Sequence, residues 1–75
     1  MTVFPNPTKE WCQIQFNEMV TNGEITVYAI TGEVIAHQAL TNSLIADIQL
    51  TGKSGVYVVK VNMNGHSFFV RVTKN

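Results

Sequence analysis

Apolar and polar residues alternate with a period of two along almost the whole chain. In residues 11–16, Cys12, Ile14 and Phe16 fall on one face. Trp11 and glutamines fall on the other face, as is typical of a β-strand with one buried side. Windows of ten residues show no apolar stripe with the capping residues of a helix. The pattern therefore predicts an all-β chain.

Turn residues divide this pattern into about seven segments at roughly ten-residue spacing. Asn22-Gly23 predicts a tight turn with positive φ, Gly32 the centre of a hairpin, and Asn64-Gly65 the strongest hairpin of the chain. The predicted strands are residues 2–4, 11–16, 24–30, 33–39, 43–50, 56–63 and 66–73. We predict a small antiparallel Ig-like β-sandwich of two sheets, whose open edges would also allow weak self-association.

The segment 56–63 is the most β-prone part of the chain. We expect Val56, Val58 and either Tyr57 or Val59 to cover the core. Gly55 precedes the segment and should let the chain turn from the loop 51–55 into the strand. If Gly55 has a positive φ, its replacement by valine should be destabilising.

Charge and cysteine content exclude several classes of protein. Five basic and five acidic residues give a formal net charge of zero, which provides no field for attracting nucleic acid or anionic lipid. The single cysteine, Cys12, cannot form an internal disulfide. It shares a face with apolar residues, which indicates a small buried side chain. No segment resembles a signal peptide or an apolar run long enough to span a membrane, so we expect the signal of an exported form to lie elsewhere.

Titratable residues are too few and too scattered to predict an enzyme. Asp47 is the single aspartate, and no serine lies in a G-x-S-x-G turn. Glu18, Glu24 and Glu33 flank predicted turns and are interpreted as solvated charges. We therefore expect no catalytic residue and no small-molecule substrate.

Metal binding is equally unsupported by the sequence. Cys12, His37 and His66 lack the spacing of a metal-binding motif. His66 follows a turn and is interpreted as an exposed residue at the start of a strand. We expect no metal ion and no cofactor.

The aromatic residues allow two interpretations. They could form a carbohydrate-stacking platform, but a domain of this size needs most of its large side chains in the core. Trp11 is the predicted exception because its neighbours on the same face are glutamines. The residues weighed in this way are Trp11, Tyr28, Tyr57, Phe68 and Phe69. An Ig-like adhesion or carbohydrate-binding accessory module therefore stays open as an alternative function.

Three blocks of sequence carry a family resemblance. They are Val-Phe-Pro-Asn-Pro-Thr at residues 3–8, Ile-Thr-Val-Tyr-Ala-Ile-Thr-Gly-Glu-Val at 25–34 and Gly-Val-Tyr-Val-Val-Lys-Val at 55–61. In this order they resemble the type IX secretion system (Por secretion system) C-terminal sorting domain, type A. The resemblance extends from Val3 to Lys74 and departs from the family pattern at Ala29, where the family usually has aspartate.

The resemblance implies a function that the residues alone do not. Such domains direct secreted cargo of Bacteroidetes-type Gram-negative bacteria across the outer membrane through the type IX translocon. A sortase-like cysteine protease commonly removes them afterwards. The implied partners are translocon or shuttle components and that protease. The implied location is the periplasm in transit and then the cell surface or the medium.

The resemblance also assigns candidate recognition residues. Pro5 and Pro7 each fix a φ angle and lack an N–H donor, so residues 1–8 are expected to form a stiff lead-in. Residues 1–75 are then a single sorting domain belonging to a larger secreted protein. The candidate sorting-motif residues are Pro5, Asn6, Pro7, Gly32, Gly55, Val56, Tyr57, Lys60, Gly65, Arg71 and Lys74.

Overall fold

The computed structural model describes residues 1–5 and 8–75, and Asn6 and Pro7 lie outside the described residues. The strands are β1 (Thr2–Phe4), β2 (Trp11–Val20), β3 (Gly23–Ala29), β4 (Val34–Leu40), β5 (Ser43–Gln49), β6 (Gly55–Met63) and β7 (His66–Lys74). Over the same residues, no helix is long and apolar enough to cross a membrane. The predicted all-β architecture of about seven strands is confirmed.

The strands form two antiparallel sheets. The three-stranded sheet has the order β1-β2-β5, and the four-stranded sheet has the order β4-β3-β6-β7. Strands β4 and β7 are therefore the edges of the four-stranded sheet. The core consists of the side chains that the two sheets turn toward each other. Its most deeply buried members are Cys12, Ile14, Val20, Ile25, Val27, Leu50, Val59, Val61 and Val72.

The burial of β2 follows the predicted alternation. Cys12, Ile14 and Phe16 are buried, whereas Trp11 and Gln15 are exposed. Burial of the Cys12 thiol, which removes water from the charged form, raises its pKa. The prediction that Cys12 is a small core residue is therefore confirmed.

The predicted core face of β6 is wrong at two positions. Tyr57 and Val59 are both buried, whereas Val56 and Val58 lie on the outer face and are only half-buried. The cause is the pairing with β3, in which Val59 lies opposite the buried Val27. Because the segment 56–59 is apolar on both faces, its own sequence could not distinguish the two orientations.

The expectation that most aromatic side chains pack in the core is also wrong. Phe16 and Tyr57 are buried, but Phe69 is 66 % exposed and Trp11 is 52 % exposed. Phe4 and Phe68 are exposed as well. Isoleucine, valine and leucine side chains fill most of the space between the two sheets, which leaves the larger rings on the surface. The predicted exposure of Trp11 is confirmed.

Two hairpins have the predicted turns. Gly32 has φ = 99° in the turn between β3 and β4, and its N–H donates to the Ala29 carbonyl oxygen at 2.9 Å. Asn64 and Gly65 have φ = 48° and 85° between β6 and β7. Two successive positive φ angles are the type I′ geometry that matches the twist of paired strands.

The predicted positive φ at Asn22-Gly23 is wrong, since neither residue has one. Strands β2 and β3 belong to different sheets, so the chain crosses between sheets there instead of folding back. Gly23 is needed for another reason, because an added Cβ would collide with the backbone carbonyl oxygen of Asn62. The chain also crosses between the sheets from β4 to β5 and from β5 to β6. In the turn between β4 and β5, Asn42 has φ = 46°.

Gly55 has φ = 146°, which is the positive value that its position suggested. An added Cβ would meet no atom within 4 Å, so backbone strain alone opposes substitution. We expect Gly55→Val to lower the free energy of unfolding by about 1 kcal/mol or more. Gly55→Ala should cost a similar amount, because the cause is φ and not side-chain size. Thermal unfolding measures both, and an unchanged melting temperature would contradict the account.

Candidate functional site

The end of β7 is hydrogen-bonded to the segment that precedes β2. The Thr8 N–H donates to the Thr73 carbonyl oxygen at 2.8 Å, and the Asn75 N–H donates to the Thr8 carbonyl oxygen at 2.8 Å. Thr8 is 3 % exposed, and its hydroxyl donates to the carbonyl oxygen of Trp11. Backbone hydrogen bonds therefore join the lead-in to the C-terminal strand.

The loop 51–55 is held at the same end of the domain. The Tyr57 hydroxyl donates to the Lys53 carbonyl oxygen at 2.6 Å, while its ring lies in the core. Lys74 Nζ donates to the Gly52 carbonyl oxygen. Lys74 also lies opposite Gly55 in the β6–β7 pair. Three predicted recognition residues, Gly55, Tyr57 and Lys74, are thus brought together.

Three other candidates lie on the outer face of the four-stranded sheet. Val56 and Lys60 are on β6, and Arg71 is on β7 opposite Val58. Lys60 lies opposite Phe69, with Nζ 5.9 Å from the ring centroid, which is within range of a cation–π interaction. This face combines positive charge with exposed aromatic surface.

The remaining described candidates do not form one cluster. The Gly32 turn lies at the end of the sheet where β6 begins, because Ala29 pairs with Tyr57. Gly65 is at the opposite end of β6. Pro5 is exposed and directly follows β1. The predicted recognition residues are therefore distributed over the domain, and Asn6 and Pro7 lie outside the described part.

Strand β7 is a long and regular sheet edge. Its pairing with β6 runs without a shift from Gly55–Lys74 to Met63–His66. The opposite edge, β4, contains a register shift beside Tyr28. A regular edge offers backbone hydrogen-bonding groups to another strand, whereas a bulge disrupts such pairing. Of these two edges, β7 is the better template for an added strand, except at its C-terminal end, where Thr8 already pairs with it.

A polar network crosses all four strands of the larger sheet. His37 Nε2 donates to Glu24 Oε2 at 3.0 Å, and Asn62 Nδ2 donates to Glu24 Oε1 at 3.1 Å. The Ser67 hydroxyl donates to Asn62 Oδ1 at 2.5 Å. The hydrogen bond from His37, followed by that from Asn62, lowers the pKa of Glu24. The Glu24 side chain is 46 % exposed, as a solvated charge should be, but its carboxylate also accepts hydrogen bonds from both neighbouring strands.

Glu24 should make unfolding depend on pH. Its folded-state pKa is lowered from 4.5, so its contribution to stability is present above that pH and is lost as the pH falls through the lowered value. We expect Glu24→Gln to reduce the loss of stability below pH 4.5. Melting temperatures at neutral and acidic pH measure this loss, with the exposed Glu18→Gln as control. Equal acid sensitivity of wild type and Glu24→Gln would contradict the assignment.

Metal-ligating side chains do not cluster in the described part of the chain. In residues 1–5 and 8–75, no group of three or more histidine, cysteine, aspartate or glutamate side chains could hold a metal ion. The His37 side chain is hydrogen-bonded to Glu24. The predicted exposure of His66 at the start of a strand is confirmed.

Comparison with known families identifies the domain. The model of the secretion system C-terminal sorting domain matches residues 2–75, which confirms the resemblance carried by the three sequence blocks. No curated protein matches the chain. The family is not a class of enzymes, and the match does not favour an adhesion or carbohydrate-binding accessory module. The chain therefore belongs to the type IX secretion C-terminal sorting domains, which direct secreted cargo across the outer membrane.

Proposed function

We propose that this domain carries its cargo from the periplasm through the type IX translocon and is then removed by a sortase-like protease. The cargo is released at the cell surface or into the medium. The observation that carries this proposal is the family match over residues 2–75. The folded domain is the recognised signal, and residues 1–75 act as one unit within a larger precursor.

The proposed contact with the secretion machinery is the β7 edge. Nine residues of β7 pair with β6 in continuous register. Thr8 is bonded to the last residues of this edge, so a partner strand could extend the sheet by β-augmentation along the part of β7 that precedes Thr73. Phe69 is 66 % exposed on this strand and would add apolar contact. Lys60 and Arg71 lie on the same outer face, where they would contact an acidic or polar partner surface.

The remaining candidates would support this surface. Gly55, Tyr57 and Lys74 fix the end of the β6–β7 pair through the contacts with the loop 51–55. Gly65 closes the hairpin at its other end. The candidates that complete the proposed sorting motif are Pro5, Asn6, Pro7, Gly32 and Val56.

A reporter fusion tests the sorting function. An exported fluorescent protein is fused to the N-terminus of the domain in a type IX-competent cell, with the reporter alone as control. We expect the fusion to reach the surface or the medium and to lose the 8.3 kDa domain. Retention of the fusion in the periplasm would contradict sorting. Surface delivery without shortening would contradict only the proteolytic step.

A pair of charged substitutions tests the contact. Phe69→Lys on β7 should reduce secretion at least several-fold, because charge on an edge strand opposes pairing with another strand. Val34→Lys is the matched control, since Val34 is 61 % exposed on the opposite edge β4. Both variants should fold, as circular dichroism can check. Equal secretion of the two variants would contradict recognition through β7.

A further inference from the structure

Trp11 lines a cavity that lies apart from the proposed β7 contact. It is the single tryptophan of the chain and is 52 % exposed. The cavity has a volume of about 340 Å³ and lies between β4 and β5, the edge strands of the two sheets. This volume is at the lower end of the range found for small-molecule sites. An exposed indole ring beside a cavity can stack against a flat apolar face of a ligand.

Polar side chains in the same cavity provide donors and acceptors. Asp47, Gln49, Gln38 and His37 are among its lining residues. Gln49 lies directly opposite Trp11 in the β2–β5 pair. The carboxylate and amide groups together can accept from and donate to hydroxyl groups. A polyhydroxylated ligand matches this combination of groups.

The Asp47 carboxylate is oriented before any ligand binds. Gln13 Nε2 donates to Asp47 Oδ1 at 3.1 Å, and Gln15 Nε2 donates to Gln13 Oε1 at 3.3 Å. This chain of hydrogen bonds runs along the outer face of the three-stranded sheet next to Trp11. Orientation by neighbouring groups lowers the entropic cost of binding.

Charge and strand geometry select the ligand class. No lysine or arginine is among the cavity residues that the structure describes, and Asp47 would repel an anion. Acidic sugars and phosphates therefore fit poorly. An extended peptide fits less well than a sugar because β4 has a register shift at the level of Val27 and Tyr28, which interrupts regular strand pairing. Buried Val27 and Ile48 supply a small apolar floor.

We propose that the cavity between β4 and β5 binds a neutral carbohydrate, with the Trp11 indole stacked on a sugar ring and Asp47 and Gln49 hydrogen-bonded to its hydroxyl groups. The site is separate from β7, which is the far edge of the four-stranded sheet from β4. The proposal does not depend on how the translocon recognises the domain.

Nuclear magnetic resonance titration tests this site. The isotope-labelled domain is titrated with neutral oligosaccharides of glucose, mannose, galactose and N-acetylglucosamine, up to roughly ten times a 1 mM Kd. We expect at least one of them to shift the amide signals of residues 35–38 and 47–49. It should also change the fluorescence of Trp11. Absence of shifts with every neutral sugar would overturn the proposal, and so would stronger binding of an acidic sugar or of an apolar peptide.

Three variants test which side chains contribute to the binding free energy. Trp11→Ala should weaken sugar binding at least tenfold, and Asp47→Asn should weaken it several-fold. Phe69→Ala is the matched control, because it removes an exposed ring from β7 and should leave the affinity unchanged. Binding that persists in Trp11→Ala would overturn the proposal. Secretion of the Trp11→Ala fusion, measured in parallel, would show that sorting is intact and keep the two functions separate.

Discussion

Replacing Tyr57 with alanine should lower the free energy of unfolding by about 3–5 kcal/mol. The ring is 5 % exposed and packs in the core, so its removal leaves a cavity and loses apolar burial. A domain of this length has a total stability of about 4–11 kcal/mol. Tyr57→Ala should therefore remove a large share of this stability, which urea denaturation followed by circular dichroism would measure.

Tyr57→Phe is the matched control for the hydroxyl group. It keeps the ring but removes the hydrogen bond to the Lys53 carbonyl oxygen, so it should cost only about 1 kcal/mol. In the reporter fusion, Tyr57→Ala should lower secretion in proportion to its unfolded fraction, whereas Tyr57→Phe should retain most of it. If Tyr57→Phe blocked secretion without lowering stability, the hydroxyl would be a direct recognition group and not a structural one.

Replacing Gly23 with alanine should cost about 3 kcal/mol, at the upper end of the usual cost of overpacking. The added Cβ would collide with the backbone carbonyl oxygen of Asn62 and would lie 3.0 Å from Val20 Cγ1. A carbonyl in the β3–β6 ladder cannot move without disturbing strand pairing. Thermal and urea unfolding measure this cost.

Asn22→Ala is the control for the Gly23 substitution. Asn22 is exposed in the same crossing and has no positive φ, so this change should alter stability by no more than about 0.5 kcal/mol. If Asn22 and Gly23 instead formed a hairpin turn with positive φ at both residues, Asn22→Ala and Gly23→Ala would both be destabilising. A Gly23→Ala cost below about 0.5 kcal/mol would contradict the proposed steric origin.

The strands and hairpin turns were predictable because their signals are local. Alternation in residues 11–16 and the dipeptide Asn64-Gly65 each depend on neighbouring residues, and both predictions are confirmed. The dipeptide Asn22-Gly23 has the same local signal, but it lies where the chain crosses between the two sheets and does not form a hairpin. A glycine is required there because a side chain would collide with Asn62. Asn62 is about forty residues away in the sequence, so a local pattern could not predict this contact.

The candidate site was predictable only in part. The family blocks contain Gly55 and Tyr57, and Lys74 ends the resemblance, but nothing local shows that these residues meet around the loop 51–55. Thr8 is part of the first block, yet its hydrogen bonds to the end of the chain depend on the return of β7 to the lead-in. The network around Glu24 likewise needs the side-by-side register of four strands.

The sequence by itself determined the all-β class, the approximate positions of the strands, the two hairpins and the family, because alternation, turn residues and ordered motifs are properties of neighbouring residues. It did not show that β2, predicted at residues 11–16, extends to Val20. Tertiary structure alone decided which face of β6 is buried, where the chain crosses between sheets and which aromatic rings stay exposed. Those features depend on strand register between distant segments. In strands that are apolar on both faces, as Val56 and Val59 illustrate, only the partner strand selects the inner side.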